Sequence, residues 1–155
     1  MELIHATCVE IDGAAVLLRG PSGSGKSDLA LRLVDGGARL VADDQVQLSV
    51  LRGELVATAP TALAGRMEVR GLGLIDLPPA QRVPHARVVL TIDLGPTATV
   101  ARLPEQDGVE FAGIAVPRVV LAPFEASAAA KVRLALSIAR RGGRVGLVPL
   151  AAKRR

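Results

Sequence analysis

Apolar residues come along this chain in short runs, separated by glycine pairs and charged dipeptides, and the runs follow two different periods. Residues 8–11 and 14–19 are near-continuous apolar segments of strand length joined by Asp12-Gly13, a dipeptide suited to a two-residue hairpin turn. Residues 27–34 place Leu29, Ala30, Leu33 and Val34 on one side of a 3.6-residue period, which predicts a helix stopped at Gly36-Gly37. A short apolar strand follows at 39–42 and ends on Asp43-Asp44. Residues 46–50 and 55–59 flank Arg52-Gly53 as a second hairpin. The stretch 71–79, Gly-Leu-Gly-Leu-Ile-Asp-Leu-Pro-Pro, is apolar but broken by glycine, and reads as a turn. Residues 87–93 and 116–121 are two further strands, and 127–141 a second helix stopped by Gly142-Gly143. This order predicts an α/β domain with a mixed, largely β sheet and few helices, filling residues 1–155 as one unit.

Composition sharpens the picture in two places. The chain holds two Phe, no Tyr and no Trp, so its core is built from Val, Leu, Ile and Ala. That scarcity also excludes nucleic-acid recognition by rows of aromatic platforms. The net charge of +4 is unevenly spread: residues 1–130 carry 11 basic and 15 acidic side chains, whereas 131–155 carry 8 basic and none acidic. The basic character therefore belongs to a C-terminal helix and tail, 127–155. Arg133 and Arg140 share one face of that helix, which suits either docking of an acidic partner or subunit, or plain solvation. Nucleic acid is not an expected partner.

A single cysteine, Cys8, offers no internal disulfide and reads as a small buried hydrophobe. No apolar run approaches the roughly 20 residues of a membrane span. The start, Met-Glu-Leu-Ile-His, has neither the basic opening nor the apolar stretch of a signal peptide, so a cytoplasmic setting is expected.

The chemistry concentrates between the first hairpin and the first helix. Gly20-Pro21-Ser22-Gly23-Ser24-Gly25-Lys26-Ser27 fits the phosphate-binding loop pattern, and it lies between a strand and a helix as that loop requires. Glycines let backbone N–H groups turn inward around a polyphosphate, and the following helix N-terminus also attracts it. Lys26 would reach the β- and γ-phosphates and Ser27 would ligate Mg²⁺, so the chain is expected to bind a nucleoside triphosphate. Only three lysines stand against sixteen arginines, and one occupies the position where a compact ammonium is needed. No Asn-Lys-x-Asp element of guanine-specific GTPases is present. Two acidic positions compete for the metal or base role: Asp93, ending the apolar run 88–92, and the pair Asp43-Asp44. Residue chemistry alone leaves that choice open.

Gly20 to Ser27, then Ala42-Asp43-Asp44, then Glu68-Val69-Arg70-Gly71-Leu72-Gly73-Leu74-Ile75-Asp76 together resemble the HPr kinase/phosphorylase family, whose signature is Glu-x-Arg-Gly-Leu-Gly. The resemblance runs from His5 to about Leu121 and suits a short form starting at the catalytic domain. It implies a phosphate-loop fold like that of phosphoenolpyruvate carboxykinase. It also implies ATP- and Mg²⁺-dependent phosphorylation of a serine on the phosphocarrier HPr, or an HPr-like carrier, with phosphorolysis as the reverse. A homo-oligomer, a hexamer, is implied too.

Carried over by position, the resemblance makes Asp43 the general base, Lys26 the stabiliser of charge on the transferred phosphoryl group, and Ser27, Glu68 and Asp44 the metal ligands. His5 and Arg102 match catalytic positions, and Arg70 would grip phosphate unless it pairs with Glu68 or Asp76. Two departures stand out. Gln45 follows the Asp pair where arginine is usual, and the Gly-Arg-Asn element that many members use in dephosphorylation is absent. A small-molecule kinase built on the same loop, and a nucleotide-binding regulatory module without transferase activity, remain the alternatives.

Overall fold

The computed structural model describes residues 1–146. Its first half runs β1 (Glu2–His5), β2 (Thr7–Ile11), β3 (Ala14–Arg19), α1 (Lys26–Asp35), β4 (Arg39–Ala42), β5 (Gln45–Leu51) and β6 (Glu54–Thr58). The second half runs β7 (Arg66–Val69), β8 (Gly73–Asp76), β9 (His85–Leu94), β10 (Gly108–Phe111), β11 (Ile114–Leu121) and α2 (Ala128–Arg140). The α/β class with a mixed sheet and few helices is as the sequence predicts.

One sheet carries the strands in the order β1-β5-β6-β9-β3-β2-β4, with β11 joined to β9 and β10 to β11. Ten residues of β9 allow it two neighbours beside its pairing with β3: its start pairs antiparallel with β6 and its end parallel with β11. β3 is parallel to β9 and antiparallel to β2, so strand direction changes at β3. The glycine loop leaves the C-terminal end of β3 at that point, where open α/β sheets bind their ligands.

β3 is apolar throughout because both of its faces are covered. Val16 and Leu18 face the helices, packing with Leu29 and Leu33 of α1, Leu90 and Ile92 of β9, and Val132 and Leu136 of α2. Ala15 and Leu17 face the opposite core, with Leu48, Leu55, Val88, Phe111 and Val116. Cys8 is fully buried in this second core, and burial pushes its thiol far above the ordinary range, which suits an inert hydrophobe.

Three elements depart from the sequence expectation. Glu2–His5 is a strand, paired with β5, whose exposed edge residues left no apolar run to read. The stretch 71–79 is not only a turn: Gly73–Asp76 pairs with Arg66–Val69 as a separate two-stranded hairpin. β10 pairs with β11 across Ala112-Gly113, a tight turn with positive φ at both residues, and its own sequence is half polar. Arg133 also differs from either reading of the basic helix face. Its Nη2 donates to the carbonyl of Leu33 at 3.4 Å, placing a cation at the C-terminal end of α1, where the helix dipole favours it. Arg140 is exposed, and Lys153-Arg154-Arg155 lie outside the described residues.

Candidate active site

The β1–β2 and β4–β5 junctions bend side by side, and the site is organised around that double bend. Asp44 lies in the second bend with a positive φ of 69°, and its carbonyl accepts from the amide of Ala6 in the first, at 3.1 Å. Asp43, next to it, turns inward and is 6% exposed. Its Oδ1 accepts from Thr7 Oγ1 at 3.0 Å and Ser27 Oγ at 2.8 Å, and its Oδ2 from the Glu68 amide at 3.0 Å. One buried carboxylate thus ties β2, α1 and β7 together. Asp44 faces outward, with its Oδ1 3.3 Å from His5 Nδ1 at the end of β1.

The glycine loop wraps the other side. Lys26, the first residue of α1, is buried, and its Nζ donates to the carbonyls of Gly20 at 2.6 Å and Pro21 at 3.0 Å. Burial pulls its ammonium below the ordinary lysine range, and the charges of Asp44 and Asp43 partly restore it. Gly25 has φ of 102°, and a Cβ there would lie 2.9 Å from the Phe124 ring and 3.0 Å from Pro123, so only glycine suits the position. Ser24 Oγ is buried in the loop without a hydrogen-bond partner.

A cleft of about 480 Å³ opens here, lined by the loop, Lys26, Ser27, Asp28 and Leu31 on one side, Asp44, Glu68, Val69 and Arg70 on another, and Phe124. Hard oxygens of Ser27, Asp44 and Glu68 face one space. With the Ser27 proton engaged by Asp43, the hydroxyl oxygen is free to bind a cation. Among the described residues no cluster of three or more His, Cys, Asp or Glu forms. Mg²⁺ held by one or two carboxylates together with substrate phosphates needs none, so the donor set fits that ion.

The family model described as HPr Serine kinase C-terminal domain matches residues 1–132. The chain belongs to the HPr serine kinase C-terminal domain family. HPr kinase/phosphorylase of Clostridium tetani is 45% identical over 75 residues, covering 48% of this chain and 25% of the relative. The Clostridium acetobutylicum HPr kinase/phosphorylase is 47% identical over 75 residues, with the same coverage. The match therefore spans about a quarter of the length of these curated relatives. A solved structure, the Hpr(Ser) kinase/phosphatase from Coxiella burnetii, superposes with a TM-score of 0.81 at 26% identity, covering 92% of this chain and 98% of that one.

In this domain the predicted residues fall into three groups. Ser22, Gly23, Gly25, Lys26, Ser27, Asp44, Glu68 and Arg70 line the cleft, and Gly20, Pro21 and Ser24 complete the loop. Asp43 lies behind the cleft and meets it through Ser27, and His5 borders it through Asp44. Arg102 is exposed in the loop between β9 and β10 and does not line the cleft. Asp76 pairs with Arg66 at 2.9 Å, and among the described residues Arg70 makes no ion pair.

Asp93 does not line the cleft. Its carboxylate is gripped by Arg19, with Nε at 2.7 Å and Nη2 at 3.0 Å, and by Arg118 Nε at 2.6 Å. Burial alone would raise its pKa, but the two guanidinium groups hold it below the ordinary carboxylate range. Of the site residues missing from the sequence expectation, Thr7 sits in an apolar strand without a motif and Leu31 reads as an ordinary helix residue, whereas Phe124, one of two aromatics and just past a strand end, carries a readable signal.

Proposed function

We propose that this chain is the catalytic domain of an ATP- and Mg²⁺-dependent serine kinase acting on HPr or an HPr-like phosphocarrier, in the cytoplasm and as a homo-oligomer. The observation that carries the reading is the convergence of Lys26, Ser27, Asp44, Glu68 and Arg70 on one cleft, with Asp43 anchored behind it. Family membership points the same way.

The loop amides and Lys26 bind the polyphosphate, with Arg70 at the far rim to meet phosphate charge. Ser27, Asp44 and Glu68 would hold Mg²⁺, which would supply positive charge against the β- and γ-phosphates, and Asp43 orients the Ser27 hydroxyl. The acceptor serine oxygen bonds to the γ-phosphorus as the bond to the β–γ bridging oxygen breaks. The serine proton passes to Asp43, which has one of roughly four lone-pair positions still open after its three hydrogen bonds. His5, paired with Asp44, steadies that carboxylate; Arg102 enters only if its exposed loop closes over the cleft.

Incubation of purified HPr with γ-labelled ATP tests this. Label on a serine of HPr, lost with Lys26→Ala, is expected. Label passing instead to a small-molecule acceptor while HPr stays unlabelled would make this a metabolite kinase. ATP binding without transfer to any acceptor would make it a regulatory module.

A further inference from the structure

The groups that would handle the transferred phosphate all lie on the β2–β4 side of the glycine loop: Asp43, Asp44 and, from the adjoining hairpin, Glu68 and Arg70. The other side is formed by the ends of β9 and β11, both oriented with β3 so that their final residues open toward the loop. A triphosphate with its reacting end among the carboxylates therefore has its nucleoside end toward β11. The segment after β11 is Ala122-Pro123-Phe124-Glu125.

That segment is pinned on both sides of one ring. Arg32 of α1 donates from Nη2 to the Pro123 carbonyl. Glu125 accepts from Thr97 Oγ1 at 3.3 Å and Lys131 Nζ at 3.0 Å. Between these anchors Phe124 is 70% exposed, with its edge against Gly25 and Leu31 nearby on the cleft wall. The other phenylalanine, Phe111, is buried in the core. A large ring left in water at a fixed position, inside a cleft of small-molecule size, has an apolar face to offer a flat ligand.

We propose that Phe124, flanked by Leu31, is the nucleobase platform of this cleft. The proposal rests on the reading of the cleft as a nucleoside triphosphate site. Phe124 acts on binding of the nucleoside and not on the phosphate chemistry. Stacking on a ring of this kind is removed by alanine with a loss of about ten- to a hundredfold in affinity.

Calorimetric titration of the full chain with ATP and with inorganic tripolyphosphate, each with Mg²⁺, separates the two contributions. Phe124→Ala is expected to weaken ATP by at least about tenfold and leave tripolyphosphate unchanged. The chain has no Trp and no Tyr, so Phe124→Trp places the sole indole in the cleft, and its emission should change with ATP but not with tripolyphosphate. Equal losses for both ligands, or unchanged ATP affinity with weakened HPr labelling, would overturn the platform; the latter would assign the ring to a protein contact. If wild type binds neither polyphosphate, the nucleotide reading of the cleft fails and takes the platform with it.

Discussion

Three donors converge on the Asp43 carboxylate from segments distant in the chain: the Thr7 hydroxyl, the Ser27 hydroxyl and the Glu68 amide. Asp43→Asn keeps the shape but turns one acceptor into a donor facing donors, which costs about 2 kcal/mol where the group is buried. The expected outcome is a fall in denaturant midpoint of that size together with loss of HPr labelling, read by chemical unfolding and by transfer assay. Lys26 supplies a pH signature. Its free ammonium is depressed by burial, and a bound polyanion raises it again. Below that lowered value Lys26 is charged in both states and contributes no proton. As pH rises toward the ordinary lysine value of about 10.4, the free cleft loses the proton first, so binding takes one up. Calorimetry of tripolyphosphate binding in buffers of different ionisation enthalpy should show that uptake at alkaline pH, and Lys26→Arg should abolish it.

At the scale of elements, α1 joins fold to site: its first residues are Lys26 and Ser27, and its buried face carries Leu29, Ala30, Leu33 and Val34. Leu33→Ala should destabilise the domain by about 3 kcal/mol, whereas Leu72→Ser at the exposed hairpin tip should change stability by less than about 0.5 kcal/mol. Denaturant unfolding of both variants checks the contrast. α1, the glycine loop and the two hairpins turning at Asp12-Gly13 and Arg52-Gly53 were readable because local chemistry sets them: period, capping glycines, and residues that accept positive φ. The β7–β8 hairpin was not, although its pairing is local, because its apolar pattern runs against its burial. Met67 anchors it in the helix-side core while Leu72 and Leu74 point outward, against the usual pattern. The same limit applied to the choice between Asp93 and the Asp43-Asp44 pair. Both follow apolar strands; only the sheet order puts one beside the cleft and the other, half-buried, between two arginines.

Across the whole molecule, direction reverses at β3, and charge is sorted to match. Acidic groups gather on the antiparallel side, and an Arg19–Asp93–Arg118–Asp107 network closes the parallel side, Arg118 Nη1 reaching Asp107 Oδ2 at 2.7 Å. Asp93 has a folded pKa below its unfolded one, so its stabilisation is complete above the ordinary carboxylate value of about 3.9 and is lost as pH falls through the depressed value. Asp93→Asn should remove that acid limb from the stability profile and cost about 2 kcal/mol at neutral pH, where two guanidinium groups lose their counter-charge. Thermal unfolding from neutral to acid pH measures both. The groups on the other side of β3 are read out by one transfer measurement: γ-labelled ATP, Mg²⁺ and purified HPr, with wild type beside Lys26→Ala and Asp43→Asn. Wild type should place phosphoserine on HPr and neither variant should. Label on HPr that survives either substitution would contradict the roles given to Lys26 and Asp43.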